Sequence, residues 1–388
     1  MGQFISVIMK PTLGCNLQCR HCYHRPSEVD SSVMGRDVLD KTISLVAREY
    51  DSAWFIWHGG EPLTAGESFF KTAYALEKKH YGKRTSRCGN TIQTNGTLLR
   101  PRFAEFCKGS RFNIGISYEA GLDRGLRPGA DGDHIETMLS YMKEKKHMFS
   151  ASATIHGGNV DDMAEIYERF NEASVPFTYN PVILIGCAAD NPDLVLDEED
   201  YIKGCIEVFD RWMTDPNAKI PLMPFYQYVM TVVKDNPNIS DCAHSSCLMS
   251  WICVHPNGDV YPCGKACPED LRMGNILEME SISEAFDSEG FAKILEASIS
   301  RREKCQGCEI YKWCNGGCSV DAMAENGMEE NGGFSCTTYK AIFLHIKSEI
   351  ERILREKPDL SGYNRFVRDA IVGKIINPRT YDSVVRIQ

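Results

Sequence analysis

Short runs of β-branched and aromatic residues recur through the first half of the chain, and glycine, proline or polar residues bound each run. Runs of about four to eight such residues predict buried β-strands. The strand candidates are Phe4 to Lys10, Ala53 to Trp57, Asn90 to Thr94, Phe112 to Ser117, Phe149 to Ile155 and Pro176 to Leu184.

Between these runs lie longer stretches whose apolar residues recur every three or four positions, the spacing of amphipathic helices. The helix candidates are Arg36 to Tyr50, Glu67 to His80, Pro101 to Lys108, Gly132 to Lys146 and Val160 to Ala173. Strands that alternate with helices predict parallel βαβ units. We therefore expect an α/β fold with a partial (β/α)6 barrel, two units short of a complete barrel, because the alternation stops after Leu184.

The rest of the chain shows a different pattern. A helical stretch with several prolines leads from Asp197 to about Ser240, and the following cysteine-rich region has little regular periodicity. The tail begins as a charged helix and ends irregularly. We expect a barrel domain at 1–196, a helical bridge at 197–240, a small irregular domain organised by its ligands at 241–345, and a tail at 346–388.

The charge balance is acidic, with 43 Lys and Arg against 53 Asp and Glu and a net charge of -10. Nucleic acid is therefore not an expected partner, because phosphate binding needs a basic surface. No apolar run approaches the roughly 18 residues of a spanning helix, so no membrane association is expected. The N-terminus lacks the pattern of a signal peptide, which favours a cytoplasmic location.

Cysteine is the residue type that stands out, with 17 in the chain. Three lie within residues 15–22 and ten within residues 242–336. Clustered cysteines in a reducing compartment predict metal or iron–sulfur ligands rather than disulfides.

The first cluster is Cys15-x3-Cys19-x2-Cys22, directly after the first predicted strand. Three thiolates are one short of the four that close a structural zinc or [4Fe–4S] site, so one metal position stays open. A zinc site completed by His21 or His24, or a set of core cysteines, is the alternative.

This spacing, followed by Tyr23 and later by Gly59-Gly60-Glu61-Pro62 and Thr94-Asn95-Gly96, resembles radical S-adenosylmethionine (SAM) enzymes. The resemblance implies that SAM binds the open iron of a [4Fe–4S] cluster and is cleaved to a 5′-deoxyadenosyl radical. It also implies a set of SAM contacts, in which Arg124 is an alternative to Arg127. The implied contacts are Tyr23, Gly59, Gly60, Glu61, Thr94, Asn95, Ser117 and Arg127.

One departure from the family concerns the fourth strand. Many relatives have Ser-x-Asp-Gly there, whereas this chain has Ser117-Tyr118-Glu119-Ala120. The departure puts the ribose and substrate contacts at this strand in doubt.

The second cysteine region resembles the SPASM extension of radical SAM enzymes, which binds two auxiliary [4Fe–4S] clusters. The resemblance implies one four-cysteine set for a nearer cluster and one for a farther cluster, and Cys242 and Cys267 are then extra. A pair of structural zinc sites is the alternative. The nearer set is Cys247, Cys253, Cys263 and Cys318, and the farther set is Cys305, Cys308, Cys314 and Cys336.

Enzymes with this extension mostly modify ribosomally made peptides. We therefore expect an oxidative modification, such as a crosslink, a thioether or a desaturation, of a peptide substrate. The spacing from Cys305 to Cys336 is most similar to anaerobic sulfatase-maturating enzymes, which form formylglycine. Their aspartate after the Tyr-Pro-Cys segment is Gly264 here, so the same proton acceptor is missing and formylglycine formation is secondary.

Other functions stay open. One is the oxidation of a small molecule by a radical SAM dehydrogenase, and another is a non-enzymatic iron–sulfur or zinc protein. The cysteine motif begins at Cys15, so we expect a leader peptide to be recognised by a separate protein or by the barrel and tail themselves, or not to be needed. We also expect a flavodoxin- or ferredoxin-type electron donor. The catalytic base is not defined by the sequence, and the candidates at strand ends are Glu119, His156, Tyr179 and Asn180.

Overall fold

The structure is a computed structural model that describes residues 3–25, 29–236, 247–265, 267–326, 334–356 and 359–376. Its first six strands and first five helices occupy the stretches predicted from the sequence. The strands are β1 (Phe4–Met9), β2 (Ser52–Trp57), β3 (Cys88–Thr94), β4 (Phe112–Ser117), β5 (Phe149–Ile155), β6 (Phe177–Pro181), β7 (Leu222–Met223), β8 (Trp251–Val254) and β9 (Val260–Tyr261). The helices are α1 (Arg36–Glu49), α2 (Glu67–Tyr81), α3 (Pro101–Ser110), α4 (Gly132–Glu144), α5 (Met163–Ala173), α6 (Glu198–Met213), α7 (Phe225–Lys234), α8 (Ser283–Phe286), α9 (Glu289–Cys305), α10 (Tyr311–Cys314), α11 (Ser319–Asn326), α12 (Phe334–Glu356) and α13 (Arg365–Ile376).

The chain divides into two compact units that interleave along the sequence. Unit 1 consists of Met1–Ser152, Ile183–Pro192 and Cys247–Ala297. Unit 2 consists of Ala153–Val182, Asp193–Ser246 and Ser298–Gln388. The domain bounds expected from the motifs describe a different division of the chain, and they stay predictions.

Unit 1 is built on a sheet in which the first residues of β5 pair with β4, followed in order by β3, β2, β1, β8 and β9. All neighbours in this order are parallel except β8 and β9, which are antiparallel. The expected α/β class with parallel strands is therefore confirmed. The register places Ile8 of β1 opposite Ile56 of β2 on one side and Cys253 of β8 on the other.

Unit 2 contains the short parallel pair β6 and β7, with Phe177 opposite Leu222. Its helices form a second core, in which α12 packs on α6 and α7, and α13 packs on α7. Within the described residues, no helix is both long enough and apolar enough to cross a membrane.

Two expectations about the second half need correction. The sheet does not end after Leu184, because β7 adds to β6 and β8 adds to β1. The cysteine-rich region, expected to have little regular structure, holds the 17-residue helix α9. The tail contains the helix α13, and its expected irregular end at residues 377–388 lies outside the described residues. The strands β7 and β9 have two residues each, which is too short for a periodic signal.

A buried polar chain crosses the aromatic core of unit 1. The indole nitrogen of Trp57 donates to Asn90 Oδ1 at 2.7 Å, and Asn90 Nδ2 donates to Glu77 Oε2 at 3.0 Å. Glu77 is fully buried on α2, and its Oε1 has no hydrogen-bond partner among the residues that the structure describes. Burial raises the pKa of this carboxyl to about 8, so Glu77 is largely protonated at neutral pH.

Glu77 therefore makes stability depend on pH in an unusual direction. The folded state binds a proton that the unfolded state has released, so the free energy of unfolding should fall by about 1.4 kcal/mol per pH unit between pH 5 and 8. Glu77→Gln stays neutral, and its stability should depend less on pH over this range. The exposed Glu144→Gln should behave like the wild type. Unfolding midpoints measured at pH 6 and 8 test this, and an unchanged pH dependence in Glu77→Gln would contradict it.

Candidate functional site

The first cysteine cluster lies in the loop after β1, where all three thiols are half-buried. Burial is the main reason that the pKa of each of these thiols is raised. The pKa of Cys22 is raised to about 11. Three N–H donors of the protein oppose this rise in pKa, because they stabilise the thiolate forms. Leu17 N donates to Cys15 Sγ at 3.4 Å, the guanidinium of Arg127 donates to Cys19, and the backbone N–H of His24 donates to Cys22. Such donors fit sulfur ligands of an iron–sulfur cluster, whose properties depend on hydrogen bonds to the sulfurs.

The Gly59-Gly60-Glu61 segment after β2 is docked on the backbone that leads into this loop. Gly60 N donates to Thr12 O at 3.0 Å, and Glu61 N donates to Gly14 O at 2.9 Å. A Cβ atom on Gly60 would lie 2.0 Å from Gly14 O, a contact that no side chain could make. Gly59 has φ +142°, which L-residues rarely adopt. Both glycines are therefore explained by the close approach of two backbone segments.

The carboxylate of Glu61 joins the segments after β2 and β3 from a fully buried position. Its Oε1 accepts from Thr94 Oγ1 at 2.7 Å and from Leu63 N at 2.9 Å, and its Oε2 accepts from Asn95 N at 2.8 Å. These three bonds leave about one of the four acceptor positions of a carboxylate for a ligand. The predicted SAM contacts Glu61, Thr94 and Asn95 are thus brought together, and Glu61 also has a structural role.

A second segment of unit 1, residues 183–192, holds the cysteine loop from another direction. Cys187 N donates to Cys22 O at 2.8 Å, and Arg20 donates to Asn191 Oδ1 at 3.0 Å. A Cβ atom on Gly186 would lie 2.4 Å from Tyr23 O. The loop is therefore positioned by protein contacts on two sides.

Arg127 and Glu119 form a buried bidentate ion pair, with nitrogen–oxygen distances of 2.7 and 3.1 Å. The same guanidinium donates to Cys19, while the side chain of Arg124 is exposed. Glu119 therefore serves to orient Arg127, which makes it a poor candidate for the catalytic base. Ser117 Oγ lies 3.2 Å from Gln93 Nε2 at the end of β4.

Three polar residues that the site prediction did not include lie side by side directly after β1, β2 and β8. Lys10 N donates to Val254 O, and His58 N donates to Met9 O, so the sheet register continues to Lys10, His58 and His255. We call these three residues the polar row. Side chains alternate along a strand, so the row shares a face of the sheet with Ile8, two residues before Lys10. The signal in the sequence was a polar residue after each apolar run.

Lys10 is fully buried, and its Nζ lies 3.1 Å from His24 Nε2 and 5.9 Å from the ring of Tyr23. Burial, together with the charge of Lys10, lowers the pKa of His58 to about 4 and that of His255 to about 3. The pKa of His24 is lowered to about 2 for the same reasons. All three imidazoles are therefore neutral at pH 7. His58 Nε2 also lies 3.4 Å from the hydroxyl of Tyr23, a predicted SAM contact.

The remaining catalytic candidates lie in unit 2, where two of them have structural partners. His156 Nδ1 accepts from Gly158 N at 3.1 Å, and the hydroxyl of Tyr179 donates to Met163 O at 2.5 Å. Both side chains are buried. Asn180 is exposed at the end of β6. A catalytic role for these residues stays a prediction.

The cysteines predicted for the nearer cluster are distributed over both units. Cys247, Cys253 and Cys263 belong to unit 1, whereas Cys318 belongs to unit 2. Cys253 is fully buried within β8 and packs with Ile8 and Tyr261, as a core thiol would. Cys267, which the pattern treated as extra, packs against the same cluster. Cys242 lies outside the described residues.

The four cysteines predicted for the farther cluster lie near one another in unit 2. Burial, then the charges of Cys336, Cys305 and Cys308, raise the pKa of Cys314 to about 12. The turn after Cys314 uses the left-handed residues Gly316 and Gly317, and Arg301 donates to Gly316 O at 3.0 Å. In the ranges that the structure describes, no three His, Cys, Asp or Glu side chains are close enough to enclose a metal ion. The donor chemistry, soft thiolates with N–H donors, fits iron–sulfur ligation.

Comparisons with known proteins identify both halves of this arrangement. The Radical SAM superfamily matches residues 9–186, and SPASM, an iron–sulfur cluster-binding domain, matches residues 242–309. A cysteine-type anaerobic sulfatase-maturating enzyme of Clostridium perfringens is 28% identical over 361 residues, which cover 87% of this chain and 95% of the relative.

Two solved structures share the fold. Native anSMEcpe with bound AdoMet and Kp18Cys peptide has a TM-score of 0.78 at 23% identity, covering 91% of this chain and 99% of that chain. SuiB of Streptococcus suis bound to the precursor peptide SuiA has a TM-score of 0.64 at 18% identity, covering 86% and 76%. The expected partial barrel followed by a cysteine-rich domain is thus confirmed. This chain is a radical SAM enzyme with a SPASM domain, related to the anaerobic sulfatase-maturating enzymes.

Proposed function

We propose that this enzyme uses SAM and three [4Fe–4S] clusters to oxidise a residue of a ribosomally made peptide. The observation that carries the proposal is the half-buried loop of Cys15, Cys19 and Cys22, docked on the Gly59–Glu61 segment with N–H donors aimed at its sulfurs. Two relatives of the same fold, anSMEcpe and SuiB, bind peptides in their solved structures, which supports a peptide substrate.

Separate sets of residues would bind the first cluster and the methionine part of SAM. Cys15, Cys19 and Cys22 would hold the cluster that, with SAM bound, supplies the 5′-deoxyadenosyl radical. The backbone of Gly59 and Gly60 and the remaining acceptor position of Glu61 would hold the ammonium of SAM.

Other contacts would hold the rest of SAM. Arg127, oriented by Glu119, would face the carboxylate, and Ser117 would lie near the ribose. Tyr23 would close the site beside the cysteine loop.

The auxiliary clusters are the second part of the proposal. Cys305, Cys308, Cys314 and Cys336 would hold the farther cluster. For the nearer cluster, Cys247, Cys263 and Cys318 keep their predicted roles, while the burial of Cys253 in β8 favours Cys242 as the fourth thiol. Fully ligated clusters supply redox capacity rather than a position for substrate.

Formylglycine formation is the second candidate function, because the Clostridium perfringens relative is a cysteine-type sulfatase-maturating enzyme. The surroundings of Gly264 disfavour it. A Cβ atom there would lie 2.7 Å from Ile8 Cδ1, so an aspartate would require the Ile8 side chain on β1 to move. Position 264 itself therefore provides no proton acceptor for that reaction.

We also propose that the enzyme works in the cytoplasm with a flavodoxin- or ferredoxin-type reductant. Reduced thiols and a low-potential donor are needed to assemble and reduce such clusters.

The first prediction concerns cluster ligands. Anaerobically reconstituted protein should contain about twelve irons, as three four-iron clusters require. Cys242→Ala and Cys263→Ala should each lose about four irons. Cys253→Ala should retain the full content, because the thiol is a core residue. Iron analysis tests this. Loss of iron in Cys253→Ala with full iron content in Cys242→Ala would instead make Cys253 the fourth ligand of the nearer cluster.

The second prediction concerns the docked glycine. Gly60→Ala would place a methyl group against the backbone oxygens of Leu13 and Gly14, so the cysteine loop should be displaced and about four irons lost. SAM cleavage should disappear with them. Gly132→Ala is the matched control, because its Cβ would meet nothing within 4 Å. Full iron content and normal 5′-deoxyadenosine formation in Gly60→Ala would show that the contact is dispensable.

The third prediction concerns the substrate. Short peptides encoded beside the gene should lose the mass of two hydrogen atoms for each 5′-deoxyadenosine formed, as a net two-electron oxidation requires. Mass spectrometry of the product tests this. A Cys residue that exchanges its sulfur for oxygen while it loses two hydrogen atoms, or a Ser residue that loses two hydrogen atoms and becomes an aldehyde reactive toward a hydrazine probe, marks formylglycine and would favour the second candidate. SAM cleavage that is stimulated only by a small molecule would contradict the peptide proposal.

A further inference from the structure

Lys10 carries a charge that the protein around it does not balance. Its side chain is fully buried, and the hydrogen bond that the structure describes for Nζ goes to a neutral imidazole, His24 Nε2 at 3.1 Å. Among the described residues, no carboxylate lies within ion-pair distance of Nζ. Buried charges in proteins are normally paired, because removing an ion from water is costly.

The groups around Lys10 do not supply the missing negative charge. His58 and His255 flank it in the polar row, and an imidazole carries no negative charge at pH 7. The ring of Tyr23 lies 5.9 Å from Nζ, and a phenol with an ordinary pKa of about 10 is neutral at this pH. Two thiols of the second cysteine region, Cys253 and Cys267, lie within electrostatic range of Lys10.

The packing of β1 places Lys10 beside those thiols. Ile8, on the same face of β1, packs with Cys253 and Tyr261 of β8 and β9. The backbone at Gly264, next to Cys263, approaches Ile8 so closely that a Cβ atom would lie 2.7 Å from its side chain. Lys10 lies one side-chain step beyond Ile8, toward the carboxyl end of the strand. Lys10 therefore shares the sheet face that carries Cys253 and the turn at Gly264, one side-chain step further along β1.

We propose that Lys10 is the counter-charge of the auxiliary cluster held at Cys263, and that its ammonium raises the reduction potential of that cluster. This inference rests on the proposed function, in which Cys263 is a cluster ligand. A four-thiolate [4Fe–4S] cluster is anionic and gains one further negative charge on reduction, so a fixed cation in a dry environment stabilises the reduced state more. Lys10 is then a positioning residue for an electron acceptor, and the cluster in turn satisfies the buried ammonium.

The test is an anaerobic redox titration of the full-length, reconstituted enzyme, followed by electron paramagnetic resonance. The signal that changes on addition of SAM identifies the cluster at Cys15, and the other two signals are auxiliary. In Lys10→Met, one auxiliary signal should move to a more negative potential. At the wild-type midpoint, its ratio of reduced to oxidised cluster should fall about tenfold, which is about 59 mV for one electron. The other auxiliary signal should not move.

Two variants separate charge from shape. Lys10→Arg keeps the charge and should keep the potential near that of the wild type. Lys79→Met removes a lysine of α2 that is 58% exposed, and it should change nothing, because water and salt screen that charge. If Lys10→Met fails to load the Cys263 cluster while Lys10→Arg loads it, the requirement for a positive charge is supported directly by the iron content.

Three results would overturn the inference. The first is an unshifted auxiliary potential in a fully loaded Lys10→Met enzyme. The second is a loss of SAM affinity with all potentials unchanged, which would assign the ammonium to the carboxylate of SAM. The third is equal loss of iron in Lys10→Met and Lys10→Arg, which would show a need for shape alone. None of these readouts uses a peptide, so a failed peptide proposal and a failed charge proposal remain distinguishable.

Discussion

The site in unit 1 depends on one backbone contact, in which Gly60 lies against the carbonyls of Leu13 and Gly14. This contact joins the segment after β2 to the cysteine loop after β1, and hydrogen bonds from Gly60 and Glu61 keep the two in register. The loop that carries three soft ligands has no regular structure of its own. Its shape is therefore imposed by the neighbouring strand end, and a side chain at position 60 would separate the two.

Glu61 extends this arrangement to a third strand end. Its carboxylate accepts from a backbone N–H on each side, at Leu63 and Asn95, and from the hydroxyl of Thr94. A buried carboxylate is tolerated because these donors replace water. The segments that begin the SAM site are thus held together by hydrogen bonds to one side chain, and a residue that resembles a cofactor ligand is also structural.

The strand register of the same sheet also decides which charged and polar side chains lie side by side in the interior of unit 1. The parallel register brings a lysine and two histidines to one level across β2, β1 and β8. Burial keeps the imidazoles neutral, so the lysine is the charged member of the row. Where the maturase relatives are expected to carry an acidic residue, this chain has Gly264 packed on Ile8. The interior near Cys263 is therefore more positive than an aspartate would leave it, which bears on how substrate is oxidised here.

Much of the fold could be predicted from the sequence, because its first strands and helices produce short-range patterns of apolar residues. The first six strands and five helices follow from short-range periodicity, and the Cys15–Cys22 spacing, Gly59–Glu61 and the second cysteine region were sufficient to recognise both families. The same local signals could not show β7 and β9, whose two residues carry no period. They also could not show that Glu119 forms an ion pair with Arg127, or that Cys253 is buried within a strand.

The sequence by itself determined the fold class, the family and the types of ligand available, since these depend on composition and spacing along the chain. The tertiary structure decided which of those residues meet. The pairing of Lys10 with His24, the polar row, and the packing of Gly264 on Ile8 each join segments far apart in the chain. Their physical cause is the register of β8 against β1, which depends on the packing of the whole sheet and has no local signature.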